Sequence, residues 1–188
     1  MDSDNQGPEQ KASQGKILLV DDNADNLDLL SKILSKNGYE VGATTSGLFA
    51  IQSIVQEKPD LILLDIRMPG INGYEICRRI KKDPSCLEIP IIFISALSET
   101  TDKIRAFEVG GVDYITKPFQ TEEVLARVKT HTSLLRMRKH LEQHVLELEE
   151  KNRQLEKLNK LFVDREFRIN ELKEKIKKLE KQIPKNKD

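Results

Sequence analysis

Residues 61–73 read Leu61-Ile62-Leu63-Leu64-Asp65-Ile66-Arg67-Met68-Pro69-Gly70-Ile71-Asn72-Gly73. Four aliphatic side chains in a row, with no polar residue among them, describe a strand covered on both faces, as in a parallel sheet. The run ends on a carboxylate, and the turn residues Met68-Pro69-Gly70 should leave Asp65 exposed at the strand end. Ile17-Leu18-Leu19-Val20 and Ile91-Ile92-Phe93-Ile94 have the same character, and Tyr114-Ile115 is a shorter version. Residues 39–43 alternate instead and belong nearer a sheet edge. Helical spacing fills the gaps. Leu27, Leu30, Ile33 and Leu34 form a stripe that stops before Gly38. Ser46 caps a segment carrying Ile51, Ile54 and Val55, which ends at Lys58-Pro59, and residues 74–82 and 101–109 supply two more helices. Strand and helix thus alternate five times, which predicts an open, doubly wound α/β sheet built with right-handed crossovers.

Outside this core the composition changes. Residues 1–15 hold no large aliphatic residue after Met1, so nothing there offsets the entropy of ordering, and a disordered tail is expected. From Thr121 no Pro or Gly occurs until Pro184. A helix over residues 121–182 would be roughly 90 Å long at about 1.5 Å per residue, longer than one small domain needs. Leu134, Leu141, Val145, Leu148 and Leu155 follow a 4-3 spacing, with Arg138 and Asn152 at the intervening a positions. A second register runs Leu155, Leu158, Phe162, Ile169, Leu172, Ile176, Leu179 and Ile183, with Arg165 on its seam. The offset of three at Leu155 is a stammer that overwinds a supercoil locally. The expected organisation is a tail at 1–15, a globular domain at 16–132, a coiled-coil helix at 133–183 and a disordered end at 184–188.

Reading the residue after each strand gathers the polar candidates, because open α/β sheets bind ligands at the carboxyl ends of their strands. Those residues are Asp21-Asp22, Asp65, Ser95 and Thr116-Lys117-Pro118. Crowded carboxylates raise one another's pKa unless a cation sits among them, and oxygen donors without His or Cys favour Mg²⁺. A carboxylate can act as nucleophile toward phosphorus, with a metal, an ammonium and a hydroxyl around the transferred group. The plainer alternative, carboxylates serving as helix caps and Lys117 in a structural salt bridge, accounts for any one of these residues singly. It does not account for all of them converging.

Leu19-Val20-Asp21-Asp22, the stretch from Leu63 to Gly70 with Gly73 following, Ile94-Ser95-Ala96 and Lys117-Pro118-Phe119 together resemble the receiver domain of two-component response regulators over about residues 16–132. The resemblance implies a five-stranded flavodoxin-like sheet whose last helix extends here into the coiled-coil rod. It implies that Asp65 accepts a phosphoryl group from a sensor histidine kinase or a phosphotransfer protein. Asp21, Asp22, Asp65 and the backbone carbonyl of Arg67 would hold Mg²⁺, and the Lys117-Pro118 bond would be cis. Lys117 would bind the phosphoryl group, Ser95 would be the switch hydroxyl, and Tyr114 would be the aromatic switch that turns inward on phosphorylation. Asn72, where Asp is frequent in this family, and Ser95, where Thr is equally common, are minor departures.

Several classes are excluded or disfavoured. The apolar runs are far shorter than the roughly 20 residues needed to span a bilayer, and the polar N-terminus resembles no signal peptide. With only Cys77 and Cys86 there is neither a disulfide framework nor a zinc pattern, so a cytoplasmic protein is expected. Lys plus Arg total 31 and Asp plus Glu total 31. Residues 131–188 carry a net +5 (16 basic and 11 acidic side chains), but the charges are interspersed, which reads as a solvated face and not a nucleic-acid surface. A turnover enzyme is not expected. Haloacid-dehalogenase-type phosphatases carry a second acid two residues after the nucleophile, where this chain has Arg67. The favoured reading is a phospho-accepting switch joined to a coiled coil that forms a parallel homodimer, with Asn152 setting register. The alternatives are a non-phosphorylated scaffold acting through the coiled coil, or a fragment of a larger hybrid signalling protein, since residues 158–173 resemble helical linkers that precede sensory or kinase modules.

Overall fold

A computed structural model describes residues 13–96 and 100–180. Strands β1 (Lys16–Val20), β2 (Glu40–Thr44), β3 (Leu61–Asp65), β4 (Ile91–Ser95) and β5 (Asp113–Thr116) alternate with helices α1 (Ala24–Lys36), α2 (Gly47–Gln56), α3 (Gly73–Lys82), α4 (Thr100–Glu108) and α5 (Thr121–Glu180). All the ladders are parallel, and the strands lie in the order β2-β1-β3-β4-β5. The chain starts in the interior of the sheet, moves out to β2, then crosses back to β3. The strand order therefore reverses between β1 and β3, and their carboxyl ends flank the crevice there.

The apolar runs explain the layering. Every residue of β3 and β4 is buried, and alternate side chains enter opposite layers. Ile62, Leu64, Ile91 and Phe93 pack with Ala50, Ile54, Tyr74, Ile76 and Ile80, while Leu61, Leu63, Ile92 and Ile94 pack with Leu27, Leu30, Leu34, Val124 and Val128. Each such aliphatic side chain, fully removed from water, contributes about 1.5–3 kcal/mol. β2 lies at an edge and is only partly covered, as its alternation indicates.

The helix ends follow their residues. Asn23, Ser46 and Asn72 cap α1, α2 and α3, each accepting backbone N–H bonds on its side chain. Gly38, at φ 84°, turns the chain after α1. Of the apolar residues that α2 carries, Ile54 is buried and Val55 is 60% exposed. The buried face is formed by Gly47, Ala50 and Ile54. A Cβ on Gly47 would overlap the Ile76 side chain and stand 2.9 Å from Ile71 Cγ2. The small residues thus bring α2 close to α3, and Val55 turns outward.

The chain divides into two compact units, Met1–Met137 and Arg138–Asp188. α5 contributes Val124 and Val128 to the core of the first. In the second it carries exposed apolar side chains from Leu141 to Ile176. Of the tail expected at 1–15, residues 1–12 lie outside the described residues, while the Gln14 amide donates to the Gly38 carbonyl at 2.8 Å and the Gly15 carbonyl accepts from the Glu40 amide at 3.0 Å. The expected end at 184–188 and the heptad position Ile183 also lie outside the described residues. Among the described residues, no helix is long and apolar enough to cross a membrane.

Candidate functional site

The sheet delivers its polar residues to one rim. β3 ends on Asp65 and β4 on Ser95, while Asp21 and Asp22 directly follow β1 and Lys117 follows β5. The Lys117 amide donates to the Ser95 carbonyl (2.8 Å), which extends the β4–β5 ladder to the lysine, and Lys117-Pro118 is a cis peptide. The Lys117 ammonium then reaches across the crevice, donating to Asp21 Oδ2 at 2.7 Å and Asp65 Oδ1 at 2.9 Å. Asp21, Asp22 and Asp65 each offer an oxygen within 4.8 Å of the others.

Asp65 is not exposed at its strand end. It is 4% exposed, and Asp21 is 3% exposed, whereas Asp22 lies open to solvent. The reason is the path of the chain after β3. The Gly73 amide donates to the Ile66 carbonyl at 2.9 Å, folding the segment back over the strand end, with Gly70 at φ 79° in the bend. A Cβ on Gly73 would overlap the Asp65 carbonyl oxygen and stand 2.9 Å from Ile66 Cα. Only glycine allows α3 to begin so close to the end of β3.

Burial raises the Asp65 pKa above the ordinary carboxylate range. The hydrogen bond and charge of Lys117 pull it down, and the Asp21 and Asp22 charges push it up again. Burial alone would lower the pKa of Lys117, but the two carboxylates it bridges more than offset this and raise it. Asp21 is held in place by the Asn23 amide at 2.9 Å and by the Asn26 carboxamide, which donates to both of its oxygens at 3.2 and 3.0 Å. Asn26 was not a sequence candidate. The only signal was that Asn23, a cap residue, places Asn26 on the first turn of α1, facing back toward Asp21.

Ser95 is fully buried, and its side chain hydrogen-bonds the Tyr114 hydroxyl. Tyr114 is 6% exposed. It packs into the layer of Phe93 and Ala106. Its ring lies 5.9 Å from the Lys103 ammonium on α4. Arg67 is exposed. The acidic crevice opens through two hollows that Asp22 borders. One, of about 790 Å³, runs past Ser46, Gly70 and Arg79, and the other, of about 600 Å³, past Arg67, Tyr74 and Arg105.

The donor set suits a hard divalent cation. Three carboxylates share one small volume with a single ammonium among them, and no nitrogen or sulfur ligand is present. Among the described residues this is the one group of three or more His, Cys, Asp or Glu able to hold an ion.

The family model for the response regulator receiver domain matches residues 17–129, more than half of the chain. The DNA-binding dual master transcriptional regulator RpaA of Synechocystis is 40% identical over 114 residues, which are 61% of this chain and 47% of that protein. The chain therefore aligns with about half the length of that relative. The receiver domain of a signal transduction histidine kinase from Syntrophus aciditrophicus superposes with a TM-score of 0.60 at 35% identity, covering 63% of this chain and 90% of that one. A Francisella response regulator receiver domain gives 0.60 at 28% identity, covering 63% and 97%.

Proposed function

Because the chain belongs to the response regulator receiver domain family, we propose that Asp65 is its phospho-acceptor and that a sensor histidine kinase or a histidine phosphotransfer protein is its donor. The phosphohistidine N–P bond breaks as Asp65 Oδ bonds phosphorus, giving an acyl phosphate, and the donor imidazole leaves neutral after taking up a proton. Water later cleaves the acyl phosphate and restores the carboxylate, so the protein is a timed signal and not a turnover catalyst of outside substrates.

The chain's own residues prepare this step. Lys117, which bridges Asp21 and Asp65, exchanges its contact with Asp65 for one with a phosphoryl oxygen and remains anchored on Asp21. Ser95 donates its proton to a second phosphoryl oxygen, which leaves its Oγ to accept from the Tyr114 hydroxyl, and so ties α4 and β5 to the phosphorylated state. Asp21, Asp22, Asp65 and the Arg67 carbonyl would hold Mg²⁺, which when bound offsets the charge of the phosphoryl oxygens and of the carboxylates. Phosphorylation adds about −1.5 to −2 charges beside Asp65. The altered α4–β5 surface and the α5 helix are the proposed route to the partners that read the state.

The observation that carries this reading is one ammonium held at 2.7 and 2.9 Å between two nearly buried carboxylates. Incubation with radiolabelled acetyl phosphate and Mg²⁺ tests it. Label that is released by hydroxylamine, absent from Asp65→Asn and abolished by EDTA is the expected result. Equal labelling of wild type and Asp65→Asn would overturn the assignment.

A further inference from the structure

The second unit is a helix that exposes its own apolar seam. Leu141, Leu148 and Leu155 are 66%, 64% and 63% exposed, and Val145 is 45% exposed. Leu158, Phe162, Ile169, Leu172 and Ile176 continue the stripe in the shifted register, all at least 41% exposed. A single helix gains little from such a stripe, and packing normally supplies most of the stability of a helix.

The flanking charges identify the occupant. With Arg138, Val145 and Asn152 at a and Leu141, Leu148 and Leu155 at d, the e positions are Glu142, Glu149 and Glu156, and the g positions are His144 and Lys151. In a parallel pair each g residue faces the e residue of the next heptad across the seam. Lys151 then meets Glu156 of the second helix and His144 meets its Glu149, and the two-fold axis makes each contact twice. In an antiparallel pair e faces e, so that glutamates line up against glutamates. Asn152 gives the same answer. In a parallel, in-register pair it opposes its own copy and the two amides bond, whereas any other arrangement sets a buried amide against Leu or Val. Arg138 does not block the seam, because its guanidinium Nε is drawn aside to Glu142 Oε1 of its own helix at 3.0 Å.

We propose that α5 binds a second copy of this chain as a parallel, in-register two-stranded coiled coil along residues 138–176, and that the Glu-lined e positions and Asn152 of the first register set its direction. The second register adds apolar area but little directional information, since its Arg168 at g faces Lys173 at e. The pairing does not depend on the chemistry at Asp65.

Sedimentation equilibrium of the full chain should give twice the 21.6 kDa of one copy; a monomer at tens of micromolar overturns the proposal. Leu148→Cys, a conservative change at a 64% exposed position, should form an intermolecular disulfide on mild oxidation, while Glu150→Cys, on the outer face, should not. Cys77 and Cys86 are buried and leave the background low. A doubled mass without the Leu148→Cys bridge overturns the parallel register. Lys151→Glu should weaken the dimer about tenfold, and adding Glu156→Lys should restore it; loss without restoration counts against the e–g contact. Asp65→Asn should dimerise like wild type while losing phosphoryl label, so the two readings fail on separate measurements.

Discussion

Asp65→Asn should make the receiver unit more stable while removing its chemistry. The opposing terms can be sized from the geometry. With an effective dielectric near 20, two carboxylate charges about 4.8 Å apart repel by about 3.5 kcal/mol, and that distance is the outer limit within the Asp21, Asp22 and Asp65 group. Asp65 takes part in two such repulsions. The ammonium at 2.9 Å attracts it by about 6 kcal/mol on the same scale. The pairwise terms nearly cancel, so the removal of a carboxylate from water decides the balance; burial is the largest influence on Asp65 and raises its pKa. An amide of the same shape still accepts from Lys117 and avoids most of that desolvation. A gain of about 1–2 kcal/mol is expected, or roughly 4–8 °C in the melting temperature of a domain this size. Tyr39, Tyr74 and Tyr114 all lie in the first unit and the chain has no Trp, so near-ultraviolet dichroism at the tyrosine band reports that unit alone. The pH dependence has a definite sign. A raised folded-state pKa means that stability is fully present at acid pH and is lost as pH rises through that pKa. The variant's advantage should therefore be largest near neutral pH in EDTA and vanish on acidification. Mg²⁺ at ten times its Kd should return about 1.4 kcal/mol to wild type and much less to the variant. A less stable variant at pH 7.5 in EDTA, or a gap that widens toward acid, would show that the Lys117 contact outweighs desolvation.

Gly73→Ala places a Cβ against the Asp65 carbonyl and should cost about 2–3 kcal/mol. In urea this appears as a lower midpoint with an unchanged slope, and labelling by acetyl phosphate slows because the strand end has moved. Asp113 accepts from Arg127 Nη1 at 2.7 Å and pairs with His131 Nε2 at 3.0 Å. Burial pushes its pKa up, but the Arg127, Tyr114 amide and His131 contacts together bring it below the ordinary carboxylate value. Its contribution is present above the unfolded-state pKa and lost as pH falls through the folded one. Asp113→Asn should cost about 1 kcal/mol at pH 7, allowing for the partly exposed guanidinium. It should also flatten the acid limb of the stability profile, and an unchanged limb would assign acid sensitivity elsewhere.

The parts legible in the sequence are those where local pattern and topology agree. Continuous aliphatic runs fixed β1, β3 and β4, and the rule that function gathers at carboxyl strand ends then found Asp21, Asp22, Asp65, Ser95 and Lys117 without any knowledge of contacts. Where packing between distant segments decides, the sequence was silent or misleading. The buried face of α2 had no mark in the sequence, because the contact with α3 is made by the small residues Gly47 and Ala50 beside Ile54 while Val55 turns outward. Asp65 looked exposed because its turn has Pro and Gly, but the return of the chain to Gly73 covered it. The Asp113–Arg127–His131 cluster went unnoticed because its members lie 14 and 18 residues apart. Arg127 and His131 share a helix face by spacing, yet which face meets β5 depends on how α5 lies on the sheet. The unit boundary at Met137 and Arg138 has no local mark either, since no Pro or Gly interrupts residues 121–183.

The arrangement of the site also explains why it belongs on this sheet. Three carboxylates around one ammonium form a charge cluster that weakens the fold wherever it is dry. It can persist only beside an apolar core large enough to offset it. β3 and β4, buried along their whole length on both faces, supply that core and end on Asp65 and Ser95 themselves. A loop-borne cluster would relax by moving apart. Here the β3–β4 register sets Asp65 against Ile94, one residue before Ser95, and β4–β5 sets Ser95 against Thr116, one residue before Lys117. The groups are thereby held close by ladders that cannot slip by one residue without moving every core side chain to the opposite layer, where it no longer fits its neighbours. The electrostatic tension at Asp65 is therefore retained until a cation or a phosphoryl group changes the local charge.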